Sequence, residues 1–136
     1  MLDFIHVGDY KTGTTWLQNY GFRNHPEIHY LGDYFENREY HRLFHELIDA
    51  RDLDFDANSL RRRFSEEIAK EPIEGKKVGV SREVLSQTSF ITGENARRNA
   101  ERLKAVFGYT KVIYVIREQF CMLNSIYSQY VKMGGT

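Results

Sequence analysis

The chain has 136 residues, of which 41% are hydrophobic and 14% aromatic, a composition that excludes a disordered or fibrous protein and favours one compact domain. Nineteen basic residues balance nineteen acidic ones, and no apolar run approaches the roughly 20 residues needed to span a bilayer, so neither nucleic acid nor a membrane is an expected partner. Because the charges balance, any anion site is expected to be local. A single cysteine cannot form an internal disulfide, which fits a cytoplasmic protein.

The first element is a strand over residues 2–8, rich in β-branched and aromatic residues, which ends in a glycine. A helix over 14–24 follows it after a short loop. Pro26 disfavours helix in the residue before it, so the segment up to residue 32 is predicted to be irregular, with at most a short extended piece at 28–31. The chain therefore opens in the order strand, loop, helix.

Two amphipathic helices come next, at 37–50 and 57–70, and their apolar faces are expected to cover a sheet. Asp56 stands directly before the second of these helices and is predicted to be its N-cap. A second strand over 77–81 is followed by a helix over 94–107. The residues expected to face inward from that helix are Ala96, Ala100, Leu103 and Phe107.

The segment Lys111-Val-Ile-Tyr-Val-Ile-Arg117 is the clearest strand, an apolar run of the kind buried on both faces of a parallel sheet, and we expect it to be central. A last helix over 119–132 carries apolar residues at helical spacing. Strands separated by helices predict a three-layer α/β/α domain with a small central parallel sheet over 1–136. Three strands leave exposed edges, so the domain is minimal, is the N-terminal part of a longer protein, or is completed by further copies of the chain.

The loop after the first strand reads Gly8-Asp-Tyr-Lys11-Thr-Gly-Thr-Thr-Trp16 and opens the first helix. Such a turn points backbone N–H groups and the positive end of a helix at one place, where a phosphate fits. The Gly-x4-Gly frame has the spacing of a Walker A loop, and the fold is expected to be P-loop-NTPase-like. However, Thr14 stands where Walker A has its lysine, which argues against an ordinary NTPase. The alternative interpretation is a threonine-rich helix start with an exposed lysine.

A second anion site is indicated at the end of the strand over 111–117. In a P-loop NTPase such a strand commonly ends in an aspartate that helps to hold Mg²⁺, whereas this one ends in Arg117. A guanidinium forks onto phosphate oxygens, and the hydroxyl of Ser125 in the next helix is available to the same group. The alternatives are an ion pair between Arg117 and a carboxylate such as Glu118, and a neutral helix position for Ser125.

These two segments carry a family resemblance. Lys11-Thr-Gly-Thr-Thr-Trp16 resembles the 5′-phosphosulfate-binding loop of the sulfotransferases that use 3′-phosphoadenosine 5′-phosphosulfate (PAPS), and Val-Ile-Arg117 with Ser125 and Tyr127 resembles their 3′-phosphate-binding strand and helix. The resemblance extends from residue 4 to about residue 132, although only loosely over 25–75. Two features depart from the family: Tyr10 replaces the proline that often precedes the loop lysine, and the family's C-terminal portion has no counterpart.

The resemblance implies a metal-independent, in-line transfer of a sulfuryl group from PAPS to a hydroxyl or amine, which leaves 3′-phosphoadenosine 5′-phosphate (PAP). It implies that Lys11 stabilises charge on the bridging oxygen and that Arg117 and Ser125 hold the 3′-phosphate. The residues implied to surround the 5′-phosphate and the adenine are Thr12, Gly13, Thr14, Thr15 and Trp16. Sulfuryl transfer, like phosphoryl transfer, gains most from alignment and charge stabilisation, so a lysine and oriented amides suffice.

The transfer also needs a base for the acceptor's proton, and the family uses a histidine or a glutamate. Glu83, just beyond the strand at 77–81, is the first candidate, with a solvated carboxylate as the alternative. The further candidates are Glu36, Glu39, His29 and His41. Two rival functions remain open: a catalytically inactive module that binds PAPS or PAP, and a P-loop kinase that requires Mg²⁺-ATP.

Two other groups of residues receive plainer interpretations. His41 and His45 have the spacing of a metal-binding pair on a helix, but no third ligand is evident and no metal is expected. The arginine-rich segments 61–63 and 97–98 are interpreted as solvated faces of amphipathic helices, paired with nearby acidic residues.

Overall fold

The computed structural model describes residues 1–8, 11–32, 38–85 and 95–135. Four strands form one sheet in the order β2-β3-β1-β4, and every neighbouring pair is parallel. The strands are β1 Phe4–Gly8, β2 Ile28–Tyr30, β3 Lys77–Ser81 and β4 Lys111–Val115. The predicted α/β fold with a small parallel sheet is confirmed. The short extended piece predicted at 28–31 forms β2, which brings the number of described strands to four.

Five α-helices lie in the described ranges, close to their predicted positions. They are α1 Thr14–Trp16, α2 Arg38–Asp49, α3 Ala57–Ile68, α4 Ala96–Phe107 and α5 Gln119–Lys132. The helix that follows the loop differs from expectation, because α1 continues directly as a π-helix over Leu17–Phe22. None of these described helices has both the length and the apolar character that crossing a membrane requires.

The N-cap of α3 is confirmed. The Asp56 carboxylate accepts hydrogen bonds from the backbone N–H groups of Asn58 and Ser59, both at 3.0 Å. Two of the donors that open the helix are thereby satisfied, which is the physical reason for the preference for aspartate at this position.

The hydrophobic core lies where α2, α3 and α4 pack against one face of β1. At its centre are three aromatic rings in contact, those of Phe44, Phe64 and Phe107. Ile5 and Val7 of β1 belong to the same cluster. Side chains alternate along a strand, so Phe4 and His6 project from the opposite face. There the ring of Phe22, at the end of the π-helix, lies 5.4 Å from the ring of Phe4.

The predicted central position of the strand at 111–117 is wrong. β4 pairs only with β1 and is an edge strand among the described strands, with Val112 60% and Tyr114 51% exposed. β1 occupies the buried position instead, between β3 and β4. A continuous apolar run indicates that both faces of a strand are apolar, but strand order depends on the crossovers, which the run does not encode.

One prediction about a helix face is corrected in part. Ala96 and Ala100 of α4 are exposed rather than inward, and with Val112 and Tyr114 they line an apolar groove of about 590 Å³ beside β4. Several large apolar residues of α5 are also exposed, among them Phe120, Leu123, Tyr127 and Val131. Asn99, Arg102, Leu103, Val106 and Phe107 form the buried face of α4.

Several arginines satisfy helix carbonyl groups rather than forming solvated faces. Arg102 is 4% exposed and donates to carbonyl oxygens at the end of α2 and just beyond it. The distances are 2.9 Å to Leu47, 3.2 Å to Ile48 and 2.7 Å to Ala50. Arg98 donates to the Ile48 carbonyl, and Arg61 donates to the carbonyl of Val106 at the end of α4. Arg97, paired with Glu101 at 2.8 Å, and Arg62, whose Nε lies 3.9 Å from a Glu66 carboxylate oxygen, match the solvated pairing that was predicted.

Candidate functional site

The predicted anion loop and the end of β4 lie at the same edge of the sheet. Register pairs Gly8 with Val115, so β1 and β4 end side by side. Two residues beyond β4, Arg117 donates through Nη1 to the main-chain carbonyl oxygen of Lys11 at 2.9 Å. The two segments that the sequence assigns to separate phosphates of one nucleotide are therefore in direct contact.

A cavity of about 500 Å³ opens at this edge. Its lining residues come from the loop, the start of α1, the segment after β3, the end of β4 and α5. They are Lys11, Gly13, Thr14, Thr15, Glu83, Arg117 and Gln129. The wall of this cavity thus contains two basic residues, two threonines and one glutamate, and its volume is within the usual size range of small-molecule sites.

The loop backbone is turned by two residues in the left-handed region, Lys11 at φ 63° and Gly13 at φ 86°. Left-handed residues in such a turn bring successive N–H groups to one side, which makes a concave site for an anion. Glycine adopts this conformation without strain, whereas Lys11 does so at a cost of order 1–3 kcal/mol that is typical of functional loops. α1 begins immediately after Gly13, where Leu17 N donates to the Gly13 carbonyl at 3.1 Å.

Gly8 is required by a close approach of the loop to the strand it leaves. A Cβ at Gly8 would stand 2.4 Å from Oγ1 of Thr14, which is itself almost fully buried. The Thr14 hydroxyl lies 3.4 Å from that of Thr12. The loop therefore folds back tightly over the end of β1.

Three of the predicted nucleotide-binding residues do not line the cavity. Ser125 is half-buried in α5, and Thr12 lies beside Thr14 on the strand side of the loop. Trp16 is 63% exposed, with its ring centroid 6.2 Å from that of Tyr20. The structure thus brings Lys11, Gly13, Thr14, Thr15 and Arg117 together and leaves the other three outside the cavity wall.

Among the carboxylates proposed as the base, Glu83 is the one that lines the cavity within the described ranges. It opens a short 3₁₀ turn, Glu83–Leu85, just beyond β3. Glu39 is engaged elsewhere on α2, where its hydrogen bonds from Arg42 hold its pKa below the usual value. A carboxylate held in this way is a weak base. Glu36 lies outside the described residues.

Neither of the histidine candidates, His29 and His41, is among the residues that line this cavity. His29 belongs to β2, which is separated from β1 by β3, and its Nε2 lies 3.3 Å from a carboxylate oxygen of Glu71. His41 lies on α2 with its ring 4.4 Å from that of His45. No group of three or more histidine, cysteine, aspartate or glutamate side chains suited to a metal ion occurs among the residues that the structure describes.

Sequence reasoning missed a buried polar cluster beneath the loop, formed by His6, Ser81 and Gln18. Nδ1 of His6 lies 2.7 Å from Oγ of Ser81, and Gln18 donates to the same hydroxyl at 3.1 Å. Alternation along β1 places His6 on a buried face, but nothing in the sequence pairs it with a serine 75 residues away. Gln129, on the cavity wall, was also missed, since no motif marks it.

Burial of His6 predicts how the stability depends on pH. Removal from water lowers the pKa of the folded His6 below its ordinary value near 6.5. Below pH 6.5 the unfolded chain binds a proton at His6 that the folded chain does not bind. We therefore expect the free energy of unfolding to decrease from pH 7 to pH 5. Urea unfolding at these pH values measures the decrease.

His41 serves as the control, because its pKa is also lowered and it titrates in the same range. His41→Asn should retain most of the decrease. The lowered pKa of Asp3 changes the free energy of unfolding only at more acid pH, near and below the ordinary aspartate value of 3.8. An NMR titration in which His6 becomes protonated at or above pH 6.5 in the folded protein would contradict the prediction.

No protein-family model matches this chain, and no curated protein or solved structure is significantly similar to it.

Proposed function

We propose that the chain binds PAPS and PAP at the Lys11–Arg117 edge of the sheet and acts as a metal-independent sulfotransferase. The observation that carries the proposal is the hydrogen bond from Arg117 to the Lys11 carbonyl oxygen, because it joins the two anion-binding segments. A nucleotide with phosphates at both its 5′ and 3′ positions needs two such segments within reach of one adenosine. Had the two segments stood at opposite ends of the sheet, one nucleotide would not reach both.

The proposal includes a three-layer, P-loop-like arrangement of the chain. Ile5 and Val7 on one face of β1 pack with the core of α2, α3 and α4, while Phe4 and His6 on the other face pack against Phe22 of the π-helix. Helical segments on both faces of β1 support this arrangement. In such folds ligands bind beyond the carboxyl ends of the strands, where this cavity lies.

The loop would hold the 5′ end of the nucleotide. Backbone N–H groups at the start of α1, that of Thr14 among them, and the hydroxyl of the exposed Thr15 would provide donors for phosphate oxygens, and the Lys11 ammonium would add positive charge. Lys11 would act on the bridging oxygen, where negative charge grows as the sulfuryl group departs. Arg117 would hold the 3′-phosphate, for which its guanidinium has further N–H groups besides the one that binds the loop carbonyl.

PAPS supplies an activated sulfuryl group to this arrangement. Glu83, on the same cavity wall, would accept the proton of the acceptor's O–H or N–H as its oxygen or nitrogen bonds to sulfur. The bond from sulfur to the bridging oxygen breaks, and its electron pair stays with PAP. Lys11 and the loop amides stabilise that charge, so the protein supplies alignment and electrostatic stabilisation.

Thermal unfolding with PAP tests the binding step. At a concentration 100 times Kd, PAP should stabilise the protein by about 2.7 kcal/mol, which corresponds to a rise of roughly 5–15 °C in the midpoint for a chain of this size. The rise should be the same with and without Mg²⁺, because Lys11 and Arg117 supply the positive charge. Adenosine 5′-phosphate, which lacks the 3′-phosphate, should raise the midpoint less.

The same titrations separate the rival functions. A larger rise with Mg²⁺-ATP than with PAP would favour a kinase and contradict the proposal. Binding of PAP without any release of sulfate from PAPS would favour an inactive nucleotide-binding module. The absence of a shift at saturating PAP would argue against both the enzyme and the module.

A further inference from the structure

Three polar side chains form a buried network beneath the loop. His6 is completely buried in β1, and its Nδ1 lies 2.7 Å from Oγ of Ser81, the last residue of β3. Nε2 of Gln18, in the π-helix, donates to Oγ of Ser81 at 3.1 Å and reaches the Ser81 carbonyl oxygen at 3.4 Å. The His6–Ser81–Gln18 network therefore joins β1, β3 and the helix that follows the loop.

The hydrogen bonds of the network have a direction. A carbonyl oxygen only accepts, so Gln18 must turn its amide nitrogen toward Ser81. The Ser81 hydroxyl then accepts from Gln18, and we assign its own proton to the bond with Nδ1 of His6. This assignment makes His6 neutral with its proton on Nε2, an atom that is buried and has no hydrogen-bond partner among the described residues.

His6 lies close to the start of the loop and to the segment that carries Glu83. A Cβ at Gly8 would stand 3.4 Å from Cε1 of His6 and 2.4 Å from Oγ1 of Thr14, so the imidazole and the Thr14 side chain both approach Gly8 from the same side. On the β3 side, the N–H of Arg82 donates to the His6 carbonyl oxygen at 3.0 Å. Glu83 is the next residue. The segment that carries Glu83 is thus bonded to His6 directly, and the helix that follows the loop is joined to the same residue through Gln18 and Ser81.

We propose that His6 is a positioning residue, whose ring is oriented by Ser81 and Gln18 and holds the anion loop and the Glu83 segment at a fixed separation. The inference rests on the proposed function. The separation matters for catalysis only if Glu83 takes the proton of an acceptor that attacks the sulfuryl group of PAPS held by the loop. A displacement of about 1 Å in such an alignment can reduce a rate about 100-fold. A buried polar atom without a partner is uncommon in native proteins, and a positioning role gives a reason for its presence here.

The tautomer of His6 tests the network independently of any activity. Long-range ¹H–¹⁵N spectra of the free protein at pH 7 should show a neutral imidazole with a single tautomer, protonated on Nε2. Gln18→Met removes the donor that orients the Ser81 hydroxyl, so the Nδ1-protonated tautomer should become populated. Gln119→Met, at an exposed position of α5, should leave the spectrum of His6 unchanged. A wild-type ring that is charged, or protonated on Nδ1, would overturn the inference.

The catalytic part is tested with PAPS and water as the acceptor, by following release of inorganic sulfate and PAP. Ser81→Ala should lower kcat about tenfold or more while the Kd for PAP changes less than about threefold, because the loop keeps its own phosphate donors. Ser65→Ala removes a hydroxyl whose bond is to the Arg61 carbonyl on α3, and should change neither value. Gln18→Met, outside the sheet, should reproduce the Ser81→Ala result if the serine variant folds poorly.

The outcomes separate this inference from the proposed function. If the wild type hydrolyses PAPS and both network variants keep full kcat, the function stands and the positioning role of His6 is wrong. An equal loss of kcat and of PAP affinity, together with a large fall in the thermal midpoint, would show a purely structural role and would also overturn the inference. If the wild type does not bind PAP, the proposed function fails, while the tautomer measurement still decides whether the network is oriented as described.

Discussion

Replacing Arg117 with alanine should weaken the binding of PAP about 100-fold. Hydrogen bonds to charged groups contribute about 1.5–3 kcal/mol each, and a guanidinium that forks onto a phosphate makes two of them. Because Arg117 is exposed, screening by water brings each hydrogen bond to the lower end of that range, and two such bonds together account for a loss of about 100-fold. Isothermal titration calorimetry with PAP at fixed ionic strength measures the change.

Three comparisons show whether the loss arises from the 3′-phosphate. Adenosine 5′-phosphate should lose less than about tenfold in affinity, since it offers Arg117 no 3′-phosphate. Arg117→Lys should fall between wild type and alanine, because an ammonium keeps the charge but not the fork. Arg62→Ala, in which an exposed arginine is removed from α3, should leave the affinity unchanged. Equal losses for both nucleotides would mean that Arg117 acts only on the loop, through the Lys11 carbonyl.

Replacing Arg102 with methionine should lower the free energy of unfolding by about 3–5 kcal/mol, the loss typical of breaking a buried charged network. Arg102 is 4% exposed, and it donates to carbonyl oxygens at and just after the end of α2, where the helix no longer supplies backbone N–H partners. Methionine fills a similar space but donates no hydrogen bonds to these carbonyl oxygens. Urea unfolding followed by circular dichroism gives the difference between variant and wild type.

Two controls isolate the buried hydrogen bonds from the ion pairs. Arg97→Met removes an exposed arginine paired with Glu101, and should change the free energy of unfolding by less than about 1 kcal/mol. Asp52→Ala removes the carboxylate partner of Arg102, and its effect should also be small because that carboxylate is largely exposed. If Arg102→Met has no larger effect than Arg97→Met, the helix-end bonds do not contribute as described.

The candidate site shows how far local sequence patterns reach. The position of the loop between β1 and α1 could be predicted because the apolar strand pattern ends at Gly8 and a helical pattern begins at Thr14. Arg117 could be predicted because it directly follows an apolar strand. Their contact follows from parallel pairing, since the carboxyl ends of parallel strands meet at one edge. Gln129 could not be predicted, because its position depends on where α5 lies.

The sequence by itself determined the elements of this protein. Period-two and period-3.6 apolar patterns, the Asp56 cap and the glycines set the strands and helices, because these signals act over a few neighbouring residues. The tertiary structure alone decided the order of the strands, and with it the edge position and exposure of β4. It also decided that Arg102 meets the end of α2 and that His6 meets Ser81, since a contact between residues far apart in the chain depends on the packing of whole elements.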